Sequence, residues 1–369
     1  MYKVFYLVYG LTSGGIERVS VNIYKYINKD KVDISMITKY GNREFYDAAL
    51  EECGGKRSPI LNTSVKGLFG KLFFLKKTIR KMKQGYDIAY FCLSKPRDVF
   101  KYPILAKILG IKKIIIHSHN SFEDSESLDK RILNKIGRIA IEKICWIKVA
   151  CSDKASEWMF LNNKNVYIMR NGVEIDDYAF NQEIREQIRK QLGIGENTFV
   201  IGHVGRFTKQ KNHKFIIDIF NEICKTDDDV ILLLVGVGEL QDNIMDYVKK
   251  LGLNNKVVFL GECKNVSNLM QAFDIFLFPS LYEGLPVVGI EAQAAGLRCF
   301  FSNTISTETN ITGKIVYLSL ADGAEVWAQN VLSTKGLITD RNTSAMIREA
   351  GYDIKQSVKE LQNIITSKS

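Results

Sequence analysis

Glu283 and Glu291 lie eight positions apart in the stretch FPSLYEGLPVVGIEAQAAGL, residues 278–297. Ile275, Phe276, Leu277 and Phe278 form a short apolar run that predicts a strand. Pro279, Ser280, Gly284 and Pro286 are turn and helix-start residues. The helix they open runs through Val287, Ile290 and Ala294 and stops at Gly296. A strand, a tight loop and a helix start leave free backbone N–H groups at the positive end of a helix dipole, which suits an anion. Carboxylates placed there do not hold phosphate. They accept hydrogen bonds from hydroxyls, as the acidic residue of a dinucleotide fold does from ribose. The chemistry implied is recognition of a phosphorylated, polyhydroxylated ligand. The plainer alternative is a helix with an acidic first turn and one glutamate on its wet face.

Three further groups carry chemistry. The segment GRFTKQKN, 205–212, follows an apolar run and puts Arg206 and Lys211 in a loop where both can reach a diphosphate. Two solvated surface cations are the alternative. The segment HSHN, 117–120, ends the apolar run 113–116. A histidine at the C-terminal end of a parallel strand faces the crevice where ligands bind. His117 and His119 flank Ser118, and an extended backbone turns both to the same side, so either can be the working residue. Gly14 and Gly15 open a helix after a predicted strand at 3–9, a second anion-friendly turn or a plain one that needs glycine. Glu17 and Arg18 follow as secondary candidates.

These residues require a doubly wound framework. Apolar runs at 3–9, 32–38, 88–93, 113–116 and 149–153 alternate with helical patterns. The alternation restarts at 199–204, 230–235, 256–260 and 275–278, with 299–302 read as the last strand and 354–364 as a terminal amphipathic helix. The loop VGVGEL, 235–240, lacks the third glycine and the acidic partner of a nicotinamide site. A chain of 369 residues suits two domains. The polar run from Glu174 to Asn181 reads as their surface linker. Seven cysteines without a C-x-x-C pair argue for reduced thiols in the cytosol, and against disulfides or a zinc site. No apolar run reaches the ~18 residues of a spanning helix. The net charge of +10 is concentrated at 65–113, which holds thirteen Lys and Arg against two Asp. Within it the basic amphipathic segment 67–83, with Leu68, Phe69, Leu72, Phe73, Leu75, Ile79 and Met82, is either an interfacial helix or a core helix with a cationic outer face.

The order of the motifs resembles the retaining glycosyltransferases of the GT-B fold, family 4 type, which in bacteria build capsular and extracellular polysaccharides. The residues that carry it are S-G-G-x-E-R at 13–18, the histidines, N-G-V at 171–173, G-R-x-x-x-x-K at 205–211 and E-G-L-P opening E-x7-E at 283–291. The resemblance implies two Rossmann-like domains facing across a cleft. The expected division is an acceptor domain at 1–175, with helix 352–369 packing back on it, and a nucleotide-sugar domain at 176–351. It further implies that Glu291 binds the nucleotide ribose and Glu283 the donor sugar. Arg206 and Lys211 would grip the donor phosphates, and His117, with His119 in reserve, would contact donor sugar and phosphate. Gly14, Gly15, Gly205, Gly284, Leu285 and Pro286 would line the donor, and Phe259, Gly261 and Val266 would surround the base. The reaction implied is retaining transfer from a nucleotide-sugar, with UDP the common carrier, to a hydroxyl of a glycan or lipid-linked saccharide. No cofactor or metal is expected. The expected location is the cytosol, at the inner face of the plasma membrane if 67–83 binds anionic lipid, with no nucleic-acid partner. The competing readings are a sugar-nucleotide epimerase or hydrolase in the same fold, and a basic membrane- or nucleic-acid-binding module.

Overall fold

A computed structural model describes residues 1–12, 14–62, 67–120, 127–337 and 340–367. Val65 and Lys66 of the basic window, the side chains of Leu68 and Phe69, and residues 368–369 lie outside the described residues. The chain divides into two compact units, Met1–Gly172 with Ile354–Ser369, and Val173–Asp353. These bounds fall two or three residues from the expected 175/176 and 351/352. Val173 donates its N–H to the Tyr352 carbonyl at 2.9 Å and forms a parallel bridge with Asp353, which ties both to the second unit.

Among the described residues the first unit holds seven strands: β1 (Tyr2–Leu7), β2 (Val32–Tyr40), β3 (Arg57–Leu61), β4 (Ile88–Leu93), β5 (Lys113–Ser118), β6 (Cys145–Ala150) and β7 (Val166–Ile168). Their order is β3-β2-β1-β4-β5-β6-β7, all parallel. Strands buried on both faces are largely apolar, and Ile114, Ile115 and Ile116 of β5 are fully buried. The last helix, Ile354–Ser367, returns to this unit, where Ile354, Val358, Leu361 and Ile365 join Val19 and Ile23 of helix Gly15–Tyr26, and Ile27 that caps it, in one core. The Gln362 side chain fixes it by accepting from the Asn28 N–H at 2.6 Å.

The second unit holds β8 (Phe199–Val204), β9 (Val230–Val235), β10 (Val257–Gly261), β11 (Ile275–Phe278), β12 (Arg298–Ser302) and β13 (Ile315–Leu318). Their order is β10-β9-β8-β11-β12-β13, again parallel. The order reverses between β8 and β11, and the crevice at the carboxyl ends of those two strands is where such sheets bind ligands. At the opposite end Asp274 clamps the pair. It accepts from Arg185 at 2.5 Å, from Arg189 at 2.7 Å and from the Val200 N–H at 2.7 Å.

Two expectations are corrected. Residues 299–302 are not the last strand: Ile315–Leu318 adds a four-residue edge strand too short to show a periodicity. The expected surface linker contains helix Ile175–Tyr178, whose Ile175 and Tyr178 are buried. Helix Gly67–Met82 docks through Phe74, Thr78 and Met82, and leaves Leu72, Phe73 and Leu75 exposed among its lysines.

Candidate functional site

In the second unit the candidates gather where β8 and β11 end. β8 leads into the loop 205–212, which closes with a short turn at Lys209–Lys211 and a left-handed Asn212 that starts helix His213–Cys224. β11 leads into the loop 279–286, which opens helix Val287–Ala294 with Pro286 as its cap residue and no side chain capping it. The two loops are stitched together. The Leu281 N–H donates to the Gln210 carbonyl at 2.8 Å, Gln210 Nε2 to the Tyr282 carbonyl at 2.9 Å, and Asn212 Nδ2 to the Pro279 carbonyl at 3.1 Å. Lys211 Nζ lies 2.6 Å from Glu283 Oε1 and 4.6 Å from the centre of the Phe278 ring. Their side chains are only 17% and 9% exposed, so this is not an ordinary surface pair. Arg206 is exposed on the same loop.

Glu291 is 4% exposed, which overturns the wet-face alternative. A carboxylate so buried needs a partner, and Tyr178 supplies it by donating its hydroxyl to Glu291 Oε1 at 2.7 Å. Gln293 locks the same helix. Its amide donates to the Gly289 and Thr309 carbonyls at 3.0 and 2.7 Å and accepts from the Ile311 N–H at 3.0 Å.

Sequence reasoning did not find the histidine pair beneath this site. His203 in β8 has its Nδ1 2.8 Å from the Leu277 carbonyl, and His213 stacks on Phe207 with 3.9 Å between ring centres. A Cβ on Gly205 would lie 2.8 Å from His203 Nε2 and 3.3 Å from the Lys211 stem, so the loop seats on His203 only with glycine there. Burial holds His203 well below the usual imidazole pKa and His213 at about 4, so both are neutral near pH 7. The adjacent loops follow suit. The Gly205 N–H donates to the Val235 carbonyl at 2.9 Å, and the Gly236 N–H to the Gly261 carbonyl at 2.7 Å. Gly236 and Gly238 press on the 205–207 backbone, the physical reason for this G-x-G. Gly261 ends β10, Val266 begins helix Val266–Ala272, and a Cβ on Gly284 would meet nothing within 4 Å. Phe259 of β10 faces Phe207, 6.0 Å between ring centres.

In the first unit Gly14 caps and Gly15 begins helix Gly15–Tyr26. Glu17 folds back over that start: a Cβ on Gly14 would lie 2.2 Å from Glu17 Oε2, and Thr12 donates to Glu17 Oε1 at 3.4 Å. His117 lies inside β5 rather than beyond it and is fully buried. The Tyr90 hydroxyl is 2.8 Å from its Nδ1, and His119 packs against it with ring centres 3.9 Å apart. Burial, then the neighbouring His119, holds His117 well below its usual pKa, and burial holds His119 at about 4. Cys92, cross-strand from His117, completes the group, its thiol pushed up to about 12 by burial.

Residues 184–352 match the family model described as Glycosyl transferases group 1. The putative glycosyltransferase EpsF of Bacillus subtilis is 27% identical over 376 residues, which cover 98% of this chain and 96% of that one. The Escherichia coli UDP-Gal:alpha-D-GlcNAc-diphosphoundecaprenol alpha-1,3-galactosyltransferase is 26% identical over 312 residues, 78% of this chain and 76% of that one. Among solved structures, Anabaena HepE in complex with UDP and glucose matches with a TM-score of 0.75 and 18% identity, each chain covered in full. Two parallel sheets of seven and six strands give this chain the GT-B fold, and residues 184–352, most of its second unit, match the Glycosyl transferases group 1 family.

Proposed function

We propose that this glycosyltransferase transfers a sugar with retention from a UDP-sugar to a hydroxyl of a glycan or lipid-linked saccharide, in assembly of a surface polysaccharide. One observation carries the donor half: two loops at the strand-order reversal are stitched so that Lys211, Glu283 and the start of helix Val287–Ala294 share one site, with Glu291 in that same helix. In this reading Glu291, held by Tyr178, accepts from the ribose hydroxyls, and Glu283 accepts from the donor sugar. Gly261 and Val266 border the base. Arg206, Lys211 and the backbone N–H groups of Gly284 and Leu285 meet the diphosphate.

As the bond from the anomeric carbon to the phosphate oxygen breaks, negative charge builds on the departing nucleoside diphosphate. Fixed cations and N–H dipoles stabilise that charge most where water is scarce. The acceptor oxygen bonds to the same face of the carbon, and its proton goes to a donor phosphate oxygen. His117, neutral, offers Nε2 to the donor sugar, and Gly15 leaves room at its helix start, where a Cβ would meet nothing within 4 Å. No metal is part of this reading. UDP as carrier and a lipid diphosphate acceptor are favoured by the relatives that use or bind them.

Contact with an anionic membrane fits two helices of the first unit. Leu72, Phe73 and Leu75 stand exposed beside Lys71, Lys76 and Lys77. Helix Leu128–Ile144, not singled out from the sequence, exposes Leu128, Ile132, Leu133, Ile136 and Ile139 with Lys130, Arg131 and Lys135 around them. Among the described residues no helix is long and apolar enough to cross a membrane.

The test is a thermal-shift panel of UDP, GDP, ADP, NAD and UDP-sugars, followed by transfer assays. Ligand at about 100 times its dissociation constant adds ~2.7 kcal/mol. A shift with UDP but not NAD, lost in Glu291→Ala, supports the site. No shift with any nucleotide sinks it.

A further inference from the structure

We infer that Cys92, His117 and His119 form a binding site for a thiophilic divalent cation of the Zn2+ type. The sequence hides it, because the third residue, Cys92, stands far from the His117–His119 pair in the chain. Sheet register assembles it instead. Cys92 pairs with His117 across β4 and β5, and His119 follows two residues later on the same side. One ligand atom from each residue lies within 4.8 Å of the others. Tetrahedral zinc bonds of about 2.0–2.3 Å need these atoms drawn closer. His119 can supply that movement, since it lies just past the end of β5 and its N–H reaches the Leu93 carbonyl only at 3.4 Å.

The unsatisfied atoms point the same way. His117 Nε2 and both ring nitrogens of His119 are buried without a hydrogen-bond partner. Such groups are costly unless something binds them. Supporting partners for a metal are already in place. Tyr90 can accept from His117 Nδ1–H at 2.8 Å, which turns the Nε2 lone pair towards the cation. The Tyr6 hydroxyl, 3.1 Å from Ser20 Oγ, lies 3.4 Å from Cys92 Sγ and can donate to a thiolate. On binding, the metal–sulfur bond forms and the thiol proton passes to solvent. Two imidazoles and a thiolate select Zn2+ over Mg2+, and three protein ligands leave a fourth position open.

Cobalt is the probe, because a thiolate–Co2+ bond announces itself by charge-transfer absorption. Full-length protein should bind one Co2+ with such a band, displaced by equimolar Zn2+ and untouched by excess Mg2+. Cys92→Ser should abolish the band, His119→Gln should weaken binding by well over tenfold, and Tyr90→Phe by about tenfold. Metal-free melting curves check that each variant folds, with Cys92→Ala as the substitute if the serine variant does not. A band that persists without Cys92 assigns the metal to another cysteine and overturns the site. Co2+ affinity unchanged in His119→Gln does the same. A separate arm rests on the role proposed for His117: Zn2+ should inhibit transfer by the parent protein but not by Cys92→Ser. Stoichiometric Co2+ binding without Zn2+ inhibition would keep the metal site and remove His117 from the transfer mechanism.

Discussion

Lys211 Nζ and Glu283 Oε1 meet at 2.6 Å although 72 residues separate them in the chain. Removing one member of a mostly buried pair leaves the other charge uncompensated. Lys211→Ala should therefore lower turnover by ~10²-fold or more, the scale of losing one charge stabiliser. Glu283→Gln keeps the shape and frees the lysine. It should lower turnover at saturating donor while leaving UDP affinity nearly unchanged, because Glu283 is assigned to the sugar. Steady-state kinetics with titrations of UDP separate the two. Unchanged turnover in both variants would reduce the pair to a loop fastener.

Tyr178 ties Glu291 to the short helix Ile175–Tyr178. Tyr178→Phe removes one hydrogen bond to a charged group, worth about 1.5–3 kcal/mol. UDP should bind roughly tenfold or more weakly, and Glu291→Ala more weakly still. Calorimetric titration checks the order. If Tyr178→Phe binds UDP like the parent, the tyrosine serves the fold and not the ribose carboxylate.

Two glycines on facing loops should respond in opposite ways. A Cβ on Gly205 would meet His203 Nε2 at 2.8 Å and the Lys211 stem at 3.3 Å, whereas one on Gly284 meets nothing within 4 Å. Gly205→Ala should lower both melting temperature and turnover by displacing Lys211. Gly284→Ala should change stability by no more than about 0.5 kcal/mol. Loss of activity in Gly284→Ala at unchanged stability would show that the open space above it is used by ligand.

The strands around the site were legible because parallel buried strands are largely apolar, as Ile275–Phe278 is throughout and Phe199–Val204 is but for His203 and a glycine. The loops between them were legible because glycine, proline and charge mark where such strands end. Contacts set by register and tertiary packing were not. Nothing in the spacing of Cys92 and His117 says that they face each other across β4 and β5. Tyr178 was read as linker because its acidic neighbours outweigh one aromatic residue, yet burial of its ring brings its hydroxyl to Glu291. Helix Leu128–Ile144 passed unnoticed since a helix with an apolar stripe ordinarily buries that stripe, and here Leu128 is 75% exposed.

The four histidines predict the acid limb of stability. Burial is the leading cause that holds each below its ordinary value, His117 and His203 well below, His119 and His213 at about 4. Between about pH 6.5 and 4 the unfolded chain binds protons that the folded chain refuses, so stability is fully present above that window and falls as pH drops through it. A single such histidine costs roughly 2 kcal/mol at pH 5, taking ~1.4 kcal/mol per pH unit below 6.5. Each unit carries one pair, His117 with His119 and His203 with His213, so both should weaken. Urea denaturation at pH 7.5 and 5.0 should show a clear fall in midpoint, larger than Asp and Glu explain, since those titrate mainly below pH 5. His213→Phe, which keeps the stack on Phe207, should make the fall shallower. A midpoint independent of pH over this range would mean that the buried rings accept protons in the folded state.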